Sequence, residues 1–298
     1  MKRTIKIPWI ILVLLLFGIA VKAQVKVQVL SKKVTKNLAW ADGQSLIINA
    51  EHADIICTTH AQNSIVLELT ITAKHENKER AEEDLYKMKW LSETKGNKIF
   101  LRNYVELSRG ESRPESSIKV TYNLKVPEGC ALNIRNSFGS INVKNVKAGL
   151  KINSEYSKIT LENVGGKTDI ETLFGDVTWN GLSGEASVNS NRSDINLSGL
   201  SGNIELVASI AAIRIRDFKD VKQLNIKAEK SVIDLIIPLF DHFAYSLDLS
   251  DCEFSKPENM LLELPAEKAN KIVLEYQANQ NKPLVSISLT YGSLAINP

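Results

Sequence analysis

Cysteine is scarce in this sequence, and its scarcity excludes two common ways of stabilising a fold. The 298 residues contain three cysteines, Cys57, Cys130 and Cys252, which lie far apart and in no CxxC spacing. A disulfide framework needs paired cysteines, and a structural zinc site needs closely spaced ones. We therefore expect neither, and the fold must depend on a hydrophobic core, for which the chain is long enough.

A large excess of positive or negative charge is also lacking. The chain has 37 basic and 34 acidic residues, a formal net charge of +3. Nucleic-acid-binding domains usually carry a strongly basic face, so a nucleic-acid partner is not expected. Without the four basic residues of segment 1–23, 33 basic residues face 34 acidic ones, and the slight excess disappears.

Motifs that carry chemistry are absent. The sequence contains no GxSxG, no HExxH and no phosphate-binding loop. Its histidines, His52, His60, His75 and His242, are scattered rather than set at metal-ligand spacing. We therefore predict that the protein is not an enzyme and needs neither a cofactor nor a metal.

A long apolar run occurs once, at the start of the chain. Segment 1–23 begins with Lys2, Arg3 and Lys6, continues with an apolar stretch and ends with small residues around Ala23. This pattern is typical of a secretory signal peptide, and the run is short for a transmembrane anchor. We expect cleavage after Ala23 and a protein that is periplasmic, on the cell surface or secreted. No transmembrane segment is expected after cleavage.

The strongest pattern in the sequence is an 18-residue repeat. Apolar residues recur at this interval in four columns over five copies, and a sixth copy follows with a two-residue slip. The columns are Ile134, Ile152, Ile170, Val188 and Leu206; Ile141, Ile159, Val177, Ile195 and Ile213; Val143, Leu161, Trp179, Leu197 and Ile215; and Val146, Val164, Leu182, Leu200 and Phe218.

Within each copy, apolar and polar residues alternate, as in Ile141-Asn142-Val143, which indicates strands with one buried face. One copy cannot bury its own apolar face, so copies must stack. We therefore predict an all-β fold, a parallel β-solenoid (β-helix-like) with about 18 residues per coil. The uneven apolar steps exclude a hexapeptide helix, and the absence of GGxGxD turns argues against a calcium-binding roll.

The pattern also predicts the order of segments along the chain. After the signal peptide, 24–298 is expected to form a single domain. Within it, 77–107 is an inserted helix and hairpin, 131–238 holds the regular repeats, and 239–298 provides C-terminal strands and a cap.

The repeats resemble a known family. Ile170-Glu171-Thr172-Leu173-Phe174-Gly175-Asp176-Val177-Thr178, preceded by Asn163-Val164-Gly165-Gly166, is similar to the bacterial putative-adhesin β-strand-repeat family. Val126-Pro127-Glu128-Gly129 and the helix-plus-hairpin insertion are similar to it as well. The resemblance covers most of the mature chain. It implies an exported repeat protein and brings with it no catalytic residues.

One row of polar residues is the leading candidate for ligand binding. It lies between the inward-facing columns and consists of Asn142, Thr160, Thr178, Asn196 and Arg214. Such a row is either a solvated sheet face or a binding surface for a repetitive polymer such as a polysaccharide.

Two other columns suggest more specific functions. Asp176 and Asp194, one repeat apart, would lie at a separation like that of the paired carboxyls of retaining glycosidases, but turn aspartates are the simpler explanation. Phe138, Tyr156 and Phe174 share a column that could bind sugar rings if exposed. We expect them instead to stack in the core.

Three functions follow from these observations. The leading one is an exported, non-enzymatic binding or adhesion module. A second is a structural or signalling accessory of the cell envelope that acts through a protein partner. The least favoured is a polysaccharide-active enzyme.

Overall fold

The computed structural model describes residues 26–261, 270–277 and 281–298. The expected signal peptide lies outside these residues. Strands account for 70% of the structure and helix for 5%, which confirms the all-β prediction. Among the described residues, no helix is both long and apolar enough to cross a membrane.

The strands join into one hydrogen-bonded sheet. In chain order the elements are β1 (Gln28–Ala39), β2 (Ser45–Glu51), β3 (Ala53–His60), β4 (Ser64–His75), α1 (Lys78–Lys87), β5 (Met88–Lys95), β6 (Lys98–Val105), β7 (Ser117–Pro127), β8 (Ala131–Lys144), β9 (Leu150–Glu162), β10 (Lys167–Leu173), β11 (Val177–Asn180), β12 (Glu185–Asn191), β13 (Ile195–Ser209), β14 (Ala212–Ile236), a 3₁₀ turn (Phe240–His242), β15 (Ala244–Ser255), β16 (Lys271–Tyr276) and β17 (Leu284–Asn297).

The 18-residue repeat sets the register between parallel strands. Ile152 on β9 pairs with Ile134 on β8 and with Ile170 on β10. The two-residue slip lies between β13 and β14, where the register shifts and Leu206 pairs with Ile226. Residues of one column therefore lie side by side, and the apolar columns form a continuous buried core that includes Trp179.

The predicted solenoid is wrong. Five parallel strands close into a barrel in the order β9, β10, β12, β13, β11 and back to β9, and the other twelve strands are bonded outside it. The ring closes because β9 bends and pairs with two partners, β10 before the bend and β11 after it. β13 does the same with β11 and β12. The repeat period predicts which residues are cross-strand neighbours. It does not indicate whether the paired strands close into a barrel.

One bend recurs in copy after copy and forms a column of left-handed residues. Each member has a φ between 49° and 62°, a region that L-residues other than Asn and Asp rarely enter. The column consists of His52, Phe138, Tyr156, Phe174, Arg192, Ile210, Lys230, Asp251 and Tyr291.

A second bend uses glycine. Gly184 and Gly202 both have a φ of 93°, and they occupy equivalent positions in successive copies. A Cβ on either residue would collide with the backbone carbonyl of the glycine one copy earlier. Only glycine allows the strands to approach this closely.

An insertion of helix and hairpin lies beside β2. The side-chain oxygen of Asn77 caps α1 by accepting hydrogen bonds from the backbone N–H groups of Glu79 (2.8 Å) and Arg80 (3.2 Å). β5 and β6 follow as an antiparallel hairpin, and β6 pairs in parallel with β2. The hairpin thus extends the sheet on the side of β2 opposite to β8.

Candidate binding surfaces

The polar row defined by Asn142, Thr160, Thr178, Asn196 and Arg214 is brought together by the structure. Its members are successive cross-strand partners on β8, β9, β11, β13 and β14. Asn142, Thr160 and Thr178 are half-buried, whereas Asn196 and Arg214 are exposed. The row is therefore a continuous line of side chains on the outer surface, with one residue per strand.

The first four members have free hydrogen-bonding groups. Within the described residues, the side chains of Asn142, Thr160, Thr178 and Asn196 make no hydrogen bond to the protein, whereas neighbouring polar side chains do. Arg214 differs, because its Nε lies 3.2 Å from a carboxylate oxygen of Asp234 in an ion pair. A ligand would thus compete with a protein contact at Arg214 and only with water along the rest of the row.

The two residues of the acidic pair are joined by a hydrogen bond. A carboxylate oxygen of Asp176 accepts a hydrogen bond from the backbone N–H of Asp194 at 3.4 Å. Both residues are exposed, in the bends that immediately precede β11 and β13. Neither lines any of three depressions on the described part of the surface.

The aromatic column stacks as expected but is not in the core. The rings of His52, Phe138, Tyr156 and Phe174 follow one another with centroids 4.9–5.0 Å apart and planes within 12° of parallel. The guanidinium of Arg192 covers the last ring at 5.4 Å. We call these five residues the aromatic ladder.

Exposure of the ladder corrects the expectation that these rings are buried. Tyr156, in its middle, is 48% exposed, because the left-handed bend turns the side chain outward. The faces of the inner rings are nevertheless covered by their neighbours, so solvent reaches mainly their edges. A sugar that stacks on an aromatic face would find no free face on Phe138 or Tyr156. The ladder therefore stabilises the bend and does not provide a stacking platform along its length.

A groove of about 580 Å³ lies where the ladder ends at His52. Its walls come from the end of β2, from the hairpin and from the loop that leads into β7. The lining residues are Glu51, His52, Met88, Arg102, Asn103, Tyr104, Val105, Leu107, Arg113, Pro114, Ser116, Ser117 and Ile118. The volume is in the range of small-molecule binding sites, and the lining mixes apolar and polar groups as such sites do.

Buried polar contacts hold the floor of this groove. Asn103 donates a hydrogen bond to the backbone oxygen of Glu51 at 2.9 Å and accepts one from the hydroxyl of Tyr122 at 3.1 Å. Burial raises the pKa of the Tyr122 hydroxyl, which keeps it protonated and able to donate. The hairpin is thereby fixed to β2 and β7 beneath the groove.

The loop wall is held by the inserted helix. Asp84 of α1 is fully buried, and its carboxylate accepts the backbone N–H groups of Glu115 (3.0 Å) and Ser116 (2.8 Å). Burial acts to raise the pKa of Asp84, but these hydrogen bonds and the ammonium of Lys87 outweigh it and hold the pKa below its usual value. The helix thus positions the segment that carries Arg113 and Ser116.

The sequence gives no direct signal for the groove, because its residues lie up to 67 positions apart and come together only through strand pairing. The nearest signal is the polar segment Ser108–Ser117, which contains two arginines and immediately precedes a buried strand. That segment has no counterpart in the other copies, so the repeat pattern does not mark it. Among the described residues, no group of three or more His, Cys, Asp or Glu side chains could hold a metal ion.

Comparison with known proteins gives structural neighbours and no sequence relatives. No protein-family model matches the chain, and no curated protein matches it. A putative adhesin from Bacteroides fragilis NCTC 9343 is similar at 12% identity and a TM-score of 0.46, covering 89% of this chain and 97% of the other. A putative lipid binding protein from Parabacteroides distasonis ATCC 8503 follows at 14% identity and a TM-score of 0.36, covering 90% and 97%.

A third neighbour is a putative cell adhesion protein from Clostridium sporogenes ATCC 15579, at 12% identity and a TM-score of 0.27, covering 90% of this chain and 99% of the other. The adhesin names among these neighbours agree with the family that the repeats resemble. At these identities and TM-scores the neighbours carry no functional conclusion, and the side chains of this chain are the only guide to its function.

Proposed function

We propose that the protein is an exported, non-enzymatic binding module that holds an extended, hydroxyl-rich polymer, such as a polysaccharide, along the polar row. The observation that carries this proposal is the alignment on successive strands of four side chains, Asn142, Thr160, Thr178 and Asn196, that make no hydrogen bond to any described residue. Strand spacing places one hydrogen-bonding group about every 4.8 Å. A polymer with a short, regular repeat can meet several such groups at once.

The absence of enzymatic activity in this proposal is supported by the setting of the acidic pair. Asp176 is already engaged by the backbone of Asp194, and both carboxylates lie exposed outside the described depressions. A glycosidase needs its carboxyls to flank a bound sugar in a cleft, with one of them perturbed by its environment. Export is supported by the signal-peptide pattern of residues 1–23.

A glycan array tests the proposal. The protein expressed from Gln24 is compared with a triple variant, Thr160→Ala, Thr178→Ala and Asn196→Ala. We expect specific binding of the parent protein to one polysaccharide class and loss of that binding in the triple variant, with an unchanged circular dichroism spectrum.

A matched control triple lies on another face of the same sheet: Ser187→Ala, Asn189→Ala and Ser286→Ala. This variant should bind like the parent protein. Loss of binding in the control triple alone, or no binding of the parent protein to any glycan, would overturn the proposal. The second result would favour a protein partner.

A further inference from the structure

We propose that the groove at the end of the aromatic ladder is a second binding site and that it takes a sugar ring bearing a carboxylate. The groove shares no residue with the polar row.

The charge of the groove favours an anion. Arg102 and Arg113 line it, and among the described residues neither guanidinium forms an ion pair with a carboxylate. The one acidic residue in the lining, Glu51, lies 3.8 Å from the imidazole of His52. An arginine without a partner at the wall of a groove is suited to bind a carboxylate through two parallel hydrogen bonds.

Before any ligand arrives, Arg102 is held at its side chain, and Arg113 is positioned only through the backbone of its segment. The guanidinium of Arg102 lies over the ring of Tyr104, 5.6 Å from its centroid, in a cation–π contact. Arg113 lies on the segment that the buried carboxylate of Asp84 fixes through the backbone of Glu115 and Ser116. Preorganised groups lose less freedom on binding, which increases affinity.

Ser116 places a buried hydroxyl at the wall of the groove. This residue is only 8% exposed, and its solvent-inaccessible hydroxyl oxygen makes no hydrogen bond of good geometry among the described residues. The hydroxyl lies near the carboxylate of Asp84 and helps to lower the pKa of that group. Rotation of the Ser116 side chain toward the groove would let it pair with a ligand hydroxyl and relieve the cost of an imperfectly satisfied buried group.

Together these features select the ligand. A carboxylate satisfies the arginines, and ring hydroxyls satisfy Ser116 and the carboxylate of Glu51. The ring faces the apolar part of the lining, including Met88 and Ile118. A fatty acid would leave the hydroxyl of Ser116 without a ligand partner, and inorganic phosphate would leave the apolar wall unused.

Isothermal titration calorimetry with trigalacturonate tests the assignment. Its carboxyl-reduced, neutral counterpart and inorganic phosphate serve as comparison ligands. We expect trigalacturonate to bind the parent protein at least about tenfold more tightly than either comparison ligand. Arg102→Gln or Arg113→Gln should each weaken binding by about tenfold or more, because each removes a charged hydrogen-bond donor. Arg135→Gln, at an exposed arginine on β8 outside the groove, is the matched control and should bind like the parent protein.

Ser116→Ala adds a readout that a purely structural role would not produce. Because the hydroxyl makes no well-formed hydrogen bond among the described residues and only assists the carboxylate of Asp84, its removal should change the Tm of the free protein little, yet weaken trigalacturonate binding several-fold. A lower Tm with unchanged affinity would contradict the role given to Ser116. The site assignment would be overturned if trigalacturonate did not bind, if phosphate or the neutral trimer bound equally well, or if both groove arginine variants kept full affinity.

Discussion

At the residue scale, the three cysteines have different environments. Cys57 and Cys130 are buried and Cys252 is half-buried, and none of them is in a disulfide. Burial raises the pKa of Cys130 to about 11 and that of Cys57 further. The sequence predicts a buried Cys57, since Cys57 aligns with the inward column of Leu161, and the structure confirms this.

We predict that an aromatic disulfide reagent modifies Cys252 alone in the native protein and all three thiols after unfolding. The thiolate is the reactive form, and burial both excludes the reagent and disfavours ionisation at Cys57 and Cys130. Release of the chromophore, counted per mole of protein with and without denaturant, checks this. Fast modification of Cys57 or Cys130 under native conditions would show that the core around them opens.

The buried thiols make the free energy of unfolding fall at high pH. The folded pKa of Cys130, about 11, is above the ordinary thiol value of 9.0, so the folded state holds the proton more tightly than the unfolded state. This contribution to the free energy of unfolding is complete below pH 9 and is lost as the pH rises from 9 towards 11. Urea unfolding at pH 8 and pH 10.5 should show a smaller difference in Cys130→Ala than in the parent protein.

Asp84 makes the free energy of unfolding fall at low pH. Its pKa is held below the ordinary value of 3.8, so its contribution is present above pH 3.8 and is lost as the pH falls through the folded pKa. Asp84→Asn should lower the free energy of unfolding at pH 7 by roughly 1–3 kcal/mol, because two backbone donors lose a charged acceptor. The two proteins should converge near pH 2.

The control for Asp84 is Glu82→Gln on the same helix. Glu82 is exposed and forms no ion pair among the described residues, so its substitution should change stability by less than about 1 kcal/mol. Equal losses in both variants, measured by urea unfolding, would show that Asp84 does not anchor the loop.

At the scale of elements, the sequence predicts local structure and register well but not closure. Helix formers between residues 78 and 87, ended by a change to alternating residues, are enough to place α1 and the hairpin that follows. The repeat columns place Ile152 beside Ile134 and Ile170. The closed ring of five strands depends on the bends in β9 and β13. These bends are backbone conformations, and the columns of apolar residues do not predict them.

The column of left-handed residues allows two contributions to stability to be separated: the cost of the left-handed backbone and the gain from ring stacking. Ile210 and Tyr156 occupy equivalent left-handed positions, with a φ of 55° and 50°, but only Tyr156 lies between two stacked rings. Asparagine tolerates this conformation, whereas a β-branched residue is penalised there. Ile210→Asn should therefore raise the free energy of unfolding by about 0.5–1 kcal/mol.

Tyr156→Asn is the matched substitution at a stacked position. It relieves the same backbone cost but removes two aromatic contacts, each contributing about 0.5–1.5 kcal/mol, so we expect a net loss of about 1 kcal/mol. Both variants are measured by urea unfolding. If both were stabilised equally, the aromatic ladder would contribute nothing to the fold.

At the scale of the whole molecule, the two binding surfaces differ in how far the sequence reveals them. The polar row is readable because its residues share one column of the repeat. The groove is not, because Glu51, Arg102 and Ser116 lie on separate segments and meet only where β6 and β7 pair with β2 and β3. The chain also carries almost no net charge after residue 23. Any electrostatic preference must therefore come from such local sites.

The two surfaces should respond differently to salt. Hydrogen bonds from the four uncharged members of the polar row to a neutral polymer should be nearly unaffected between 0.05 and 0.5 M sodium chloride, because only charges are screened. Binding of trigalacturonate at Arg102 and Arg113 should weaken over the same range. Titrations at three salt concentrations check this, and a strong salt dependence for the neutral polymer would mean that it does not bind at the row.

The most direct measurement is the affinity of the parent protein for an oligomer series of the polysaccharide that the array identifies, from one unit to a length beyond the row. A row with one hydrogen-bonding group per strand predicts that affinity rises with each added unit and then levels off once the oligomer spans Asn142 to Asn196. The same series on the triple variant should be flat. Equal affinity of the parent protein for the shortest and the longest oligomers would contradict binding along the row.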